Sequence, residues 1–120
     1  MAGLTTGAKN SMLDNFGTLA VYASLHTADP GTTGANELSG GSPAYARQSL
    51  AWNAAASASK TNSGTITWNV PASTTVAYVG YWSASTSGTF YGSRALSASE
   101  TFSGQGVYTV NASGITENLT

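Results

Sequence analysis

Hydrophobic and polar positions alternate with a period of two along most of this chain, and with a helical period only at its start. Leu4, Ala8, Met12 (or Leu13) and Phe16 recur at helical spacing, which predicts a helix from Thr5 to Phe16. Thr5 or Thr6 can cap it by accepting a backbone N–H, and Gly17 is expected to end it. So short a helix is unstable alone, so its apolar stripe must lie on its own sheet or on a neighbouring subunit. From Thr18 the period changes. Leu19, Val21, Ala23 and Leu25 alternate with Ala20, Tyr22, Ser24 and His26, the mark of a half-buried strand.

The next stretch has no regular pattern. Asp29-Pro30-Gly31 and Ser39-Gly40-Gly41-Ser42-Pro43 are turn clusters. Loops of this length usually have a function. Strands are then predicted over Ala46 to Asn53, Thr65 to Val70, Val76 to Trp82, Thr89 to Ala95, Gly106 to Ala112 and Ile115 to Leu119, with a weaker segment at Glu100 to Ser103. Val76 to Trp82 carries β-formers on both faces and reads as a central strand. Ala54 to Ser63, nearly all Ala, Ser, Thr and Asn, reads as a loop or a strand edge. Short strands with regular turn signals indicate an all-β fold, an antiparallel β-sandwich of jelly-roll-like type with a short N-terminal helix. The 120 residues fit one domain, residues 1–17 forming the helical segment and 18–120 the sandwich.

Composition sharpens this picture through what it lacks. Only 8% of residues are charged and the formal net charge is −1, against about a quarter charged in ordinary soluble domains. Ser, Thr, Gly, Ala and Asn take their place. Such an exterior is cheap to desolvate, which suits a chain packed against copies of itself. A secreted β domain would show the same bias. Lys9, Arg47, Lys60 and Arg94 are widely separated, so neither a nucleic-acid nor a membrane surface is expected. With no cysteine, disulfides and cysteine metal sites are excluded. No secretory signal is visible at the start, so the sequons at Asn111 and Asn118 are read as accidental.

Candidate chemistry is sparse. His26 is the single histidine. It sits in a strand pattern with Ser24 on the same face, and no G-x-S-x-G elbow exists to activate a serine. A hydrogen-bonded structural role is expected for it. The carboxylates Asp14, Asp29, Glu37, Glu100 and Glu117 form no paired constellation, and the loop from Asp29 to Glu37 lacks dense calcium-loop spacing. No cofactor, metal or catalytic residue is expected. The three tryptophans and six tyrosines admit a glycan-stacking reading, against which stands their use in a sandwich core and subunit contacts.

The segment Ser24-Leu25-His26-Thr27-Ala28-Asp29-Pro30-Gly31, continued by Gly34-Ala35-Asn36-Glu37-Leu38-Ser39-Gly40-Gly41 and Tyr45-Ala46-Arg47-Gln48, resembles a family of small bacteriophage structural proteins. The helix ending Asp14-Asn15-Phe16, the run Trp52-Asn53-Ala54-Ala55 and the hairpin Ser87 to Gly92 are similar to the same family. Ser42-Pro43-Ala44, before Tyr45, looks like an insertion. The resemblance implies a virion protein of tail-fibre, minor tail or minor capsid type. It would assemble with itself, as a trimer or another homo-oligomer, and with other capsid or tail proteins. A host-glycan-binding module at a tail tip is the alternative. Pro30 and Gly31 are expected to fix a turn, and Asn36 and Glu37 to bond loop backbone. Arg47 is expected to pair with Glu37 or Asp29. With Asp29 and Tyr45 these are the candidate loop-ordering and contact residues; Leu4, Met12 and Phe16 are the candidates on the helix.

Overall fold

The computed structural model describes residues 3–119. It contains one helix, α1 (Thr6–Leu19), and eight strands: β1 (Tyr22–His26), β2 (Gln48–Ser49), β3 (Ser59–Thr61), β4 (Ile66–Val70), β5 (Thr74–Trp82), β6 (Phe90–Phe102), β7 (Gly106–Val110) and β8 (Thr116–Asn118). All strand pairings are antiparallel. The fold is thus the all-β sandwich with a short N-terminal helix that the periodicity predicts.

Thr5 caps α1, its Oγ1 accepting from the Ala8 N–H at 3.1 Å. The helix does not stop at Gly17; it runs through to Leu19, and the Ala20 N–H closes it on the Phe16 carbonyl. Gly17 serves a different purpose. A Cβ there would sit 2.5 Å from the Lys60 Cε, so the missing side chain lets the lysine lie against the helix. Leu13 is the buried apolar residue of α1, whereas Met12 is 48% exposed. Phe16 packs edge-on against Tyr81 and Trp52, at centroid distances of 5.5 and 5.9 Å. The helix therefore lies on its own domain.

One layer is a four-stranded sheet in the order β2-β1-β5-β6. Residues opposite each other in register share a face. Ala23 and Leu25 lie beside Tyr81 and Val79 on the inner face; Ser24 and His26 lie beside Gly80 and Tyr78 on the outer. β1 starts at Tyr22 rather than Thr18 because residues 18 and 19 finish the helix. The predicted strand Ala46 to Asn53 keeps only Gln48–Ser49 in the ladder. After Leu50, whose N–H bonds the Val21 carbonyl, the chain crosses to the other layer, where the Asn53 N–H meets the Thr61 carbonyl. The segments Thr89 to Ala95 and Glu100 to Ser103 are the two paired arms of one strand, β6. Between them five steps of β6, Ala95 to Glu100, oppose two of β5, so the strand bows out at Leu96–Ser99.

The second layer pairs β4 with β7 and β3 with β8. The same two stretches of chain form both pairs, so this layer is one long ribbon interrupted midway. Asn62 fills the interruption and is fully buried; the segment Ala54 to Ser63, read as a loop or a strand edge, contributes the short strand β3 just before it. Its Nδ2 donates to the carbonyls of Gly64 (2.8 Å) and Asn111 (3.1 Å), and its Oδ1 accepts from the Ile115 N–H at 2.8 Å. Backbone groups that the gap strips from the ladder are thereby satisfied. Ile66, Trp68 and Val70 point inward as predicted. Trp68 has no exposed surface and joins the layers, its Nε1–H donating to the Ala23 carbonyl at 3.0 Å.

Replacing Asn62 with alanine orphans a buried N–H and two carbonyls. Asn62→Ala is expected to cost about 3 kcal/mol in urea unfolding, as befits buried polar groups left without partners. A loss below about 0.5 kcal/mol would show that the ribbon does not depend on it.

Candidate functional site

The long loop between β1 and β2 covers the outer face of the sheet. Asp29 starts it with a turn of its own, its Oδ1 accepting from the Gly31 N–H at 2.8 Å. The buried Pro30 offers its carbonyl to the N–H groups of both Gly34 and Ala35. Asn36 adopts a left-handed φ of 65° and donates from Nδ2 to the Asp29 carbonyl at 3.1 Å; asparagine tolerates that region better than most side chains. The returning segment then lies along the end of β1. The Thr27 N–H reaches the Asn36 carbonyl and the Leu38 N–H the Leu25 carbonyl, each at 3.0 Å. Gly34 is needed here twice over. Its φ is +79°, and a Cβ would stand 2.4 Å from the Trp82 ring.

Arg47 latches this loop. Its Nε donates to Glu37 Oε2 at 2.9 Å and its Nη2 to Oε1 at 3.0 Å, a bidentate pair. Nη1 donates to the carbonyls of Ala84 (3.1 Å) and Ser87 (2.8 Å), which ties in the loop between β5 and β6. The guanidinium lies over Trp82, 3.6 Å from the ring centroid. Tyr45 donates its hydroxyl to Glu37 Oε2 at 2.8 Å and accepts from the Leu25 N–H at 3.0 Å. Burial pushes the Tyr45 phenol far above its ordinary range, so it stays a donor. The Arg47 side chain is 9% exposed and that of Glu37 21%. Of the five N–H donors a guanidinium carries, four are occupied, and both carboxylate oxygens are taken. The pairing left open between Glu37 and Asp29 resolves to Glu37, and Glu37 bonds side chains rather than loop backbone.

Beneath the latch lie Ser24 and His26, neither with any exposed surface. His26 Nδ1 is 2.8 Å from the Ala35 carbonyl, which only accepts, so Nδ1 carries the proton. Nε2 is then the acceptor for the Ser24 hydroxyl at 2.6 Å, and Ser24 Oγ accepts from Trp82 Nε1–H at 2.8 Å. Gly80, opposite Ser24, leaves the room: a Cβ there would come within 2.5 Å of both His26 Nε2 and Ser24 Oγ. A serine and a histidine so enclosed cannot reach a substrate. Burial also lowers the His26 pKa, a shift that the Ala35 hydrogen bond opposes.

The helix candidates stand apart from this site. Leu4 is half-buried, Phe16 is taken up by the aromatic cluster, and Met12 with Leu13, Phe16 and Leu119 borders an apolar groove of about 270 Å³. Sequence reasoning missed a second network resembling the first: Tyr81 donates to Glu117, which Arg94 Nε grips at 2.8 Å. It also missed Lys60, whose Nζ reaches Asp14 at 2.7 Å and lowers the Asp14 pKa, and Gln105, which clasps Ser42 and Pro43. The available signal was scarcity: in a chain with so few ions, three of the four cations find a carboxylate partner. The indole N–H groups of Trp52, Trp68 and Trp82 are all bonded within the protein. Among the described residues no group of three or more His, Cys, Asp or Glu could hold a metal, and no helix is long and apolar enough to cross a membrane.

The outer face of the sheet thus carries a polar network saturated internally, with its lone histidine sealed in. The family model described as "Podophage GP4 fiber I protein gp80" matches residues 7–118, and the chain belongs to that family. It is a bacteriophage structural protein and its place is the virion. No curated protein matches the chain.

Arg47→Ala leaves Glu37 half-buried without its cation and uncovers the Trp82 face. The expected loss is about 2–3 kcal/mol by chemical denaturation, and Arg47→Lys, lacking the planar fork, is expected to recover less than half of it. Gly80→Ala is a second probe; it should cost about 2 kcal/mol or more by forcing His26 and Ser24 apart. Unchanged unfolding midpoints would remove the latch as a source of order.

Proposed function

We propose that this chain is a non-enzymatic assembly module that decorates or joins parts of the phage particle through subunit–subunit contacts, with the loop from Asp29 to Tyr45 as its principal contact element. The observation that carries this reading is the saturation of the Glu37–Arg47–Tyr45 latch. A loop held by a bidentate ion pair, stacked on an indole and left with almost no free valence is built to keep a shape rather than to hold a ligand. Shape is what contact with a repeated neighbour requires, and many modest contacts then add by avidity. The fibre family to which the chain belongs fits such a role.

The helix adds a second contact element through Met12, and the domain functions as a homo-oligomer, with a trimer as the working stoichiometry. The weakly charged exterior supports this, because few ions must be stripped of water when copies meet. The glycan alternative draws no support from the tryptophans, since Trp68 and Trp82 are buried and Trp52 is half-buried in intramolecular packing rather than forming open platforms.

The test is to supply particles lacking this protein with the wild type or Arg47→Ala and to determine occupancy by cryo-electron microscopy. Wild-type chains are expected at discrete symmetric positions on the particle. The folded variant should show ~tenfold lower occupancy at equal concentration, equivalent to one lost contact of ordinary strength. Equal occupancy would refute the loop as the contact element, and a wild-type protein that never joins a particle would refute assembly altogether.

A further inference from the structure

We propose that His26 is an acid-sensitive catch for the loop: protonation of its ring releases the segment from Pro30 to Leu38 from the end of β1 while the sandwich stays folded. The geometry allows the ring one protonation state only. Nδ1–H is committed to the Ala35 carbonyl, and Nε2 must accept from Ser24. A proton on Nε2 would turn it into a donor. Ser24 Oγ would then face two donors, Nε2–H and the Trp82 indole, and its own hydroxyl hydrogen would lose its acceptor. A full positive charge would also be placed where the ring has no exposed surface.

The groups around the ring do not compensate. On β1 and β5 it meets Ser24, Tyr78 and Gly80, with Trp82 bonded to Ser24 from the other side, and on β6 the edge of Phe90 at 6.2 Å. From the loop come the Ala35 carbonyl and Glu37, both of which favour protonation without outweighing burial, and the Glu37 charge is already neutralised by Arg47, itself a repelling cation. Burial, the largest influence, holds the ring below its ordinary value of about 6.5. The sign follows. A neutral His26 contributes its full stability above about pH 6.5, and that contribution is lost as pH falls through the lower folded value.

The loop yields before the sheet because it meets only the end of β1. The His26–Ala35 bond, the N–H groups of Thr27 and Leu38, and the Tyr45 hydroxyl on the Leu25 N–H join it there, while Arg47 holds Glu37 from outside the ladder. β5, by contrast, is bonded along both edges.

His26 is the only histidine, so its ring resonances need no variant to assign. The ring is titrated by nuclear magnetic resonance on the full chain while amide hydrogen exchange is followed, corrected for intrinsic rates. The expected result is a single transition below about pH 6.5, with the Thr27 and Leu38 amides exchanging ~tenfold faster per unit of pH beneath it and the β5 amides still protected. The proposal is overturned by a ring that titrates at or above the ordinary value, by one that charges with the loop still protected, or by loop and β5 opening together. Each of those results leaves the particle-occupancy test at neutral pH untouched, so failure here is distinct from failure of the assembly reading, on which this inference does not depend.

Discussion

The structure depends on pairing most of its few cations with carboxylates across separate elements. Each of three cations pins a different part of the chain to the sandwich: Arg47 the long loop, through Glu37; Lys60 the helix, through Asp14; and Arg94 the terminal strand β8, through Glu117. In an exposed setting such pairs contribute little. Here they are placed where a non-strand element or a short strand meets the sheet, and two of them are reinforced by a tyrosine hydroxyl. Ion pairing thereby adds to what ladder hydrogen bonds supply, since the helix has no strand edge to bond to and the loop meets only the end of β1.

The same placement explains the character of the surface. With three of four cations engaged internally among the described residues, the exterior is left to hydroxyls, amides and backbone. Threonine pairs such as Thr67 with Thr109 and Thr75 with Thr101 line outward faces of the strands. The low charge read from composition is therefore a property of the surface in particular, and it follows from the architecture rather than from chance.

Much of the β framework is legible in the sequence, because alternation reports burial directly. Ile66, Trp68 and Val70 could only be one face of a strand, and the two-sided apolar run from Val76 marks the centre of the sheet. The helix boundary is not legible. Gly17 looks like a terminator, and only the position of Lys60, distant in sequence, shows that it is a contact. Nor could the choice between Glu37 and Asp29 be read, since both lie in the same loop. The structure decides it by committing Asp29 to the Gly31 N–H. Asn62 is invisible for a similar reason: its role exists only once two remote stretches pair and leave a gap between them. The resemblance located the loop, but which residues carry its order depends on contacts with Trp82, Ala84 and Ser87 from the far side of the sheet.

The bowed segment of β6 has a bearing on how such a protein survives before it is incorporated. β6 is the outermost strand of its sheet and spans Phe90–Phe102, with little charge to repel a visiting strand. A straight edge of that length would template fibril-like growth from one molecule to the next. The kink at Leu96–Ser99 divides the edge into two short arms that no single incoming strand can follow. The bow thus blunts this edge against strand-by-strand addition.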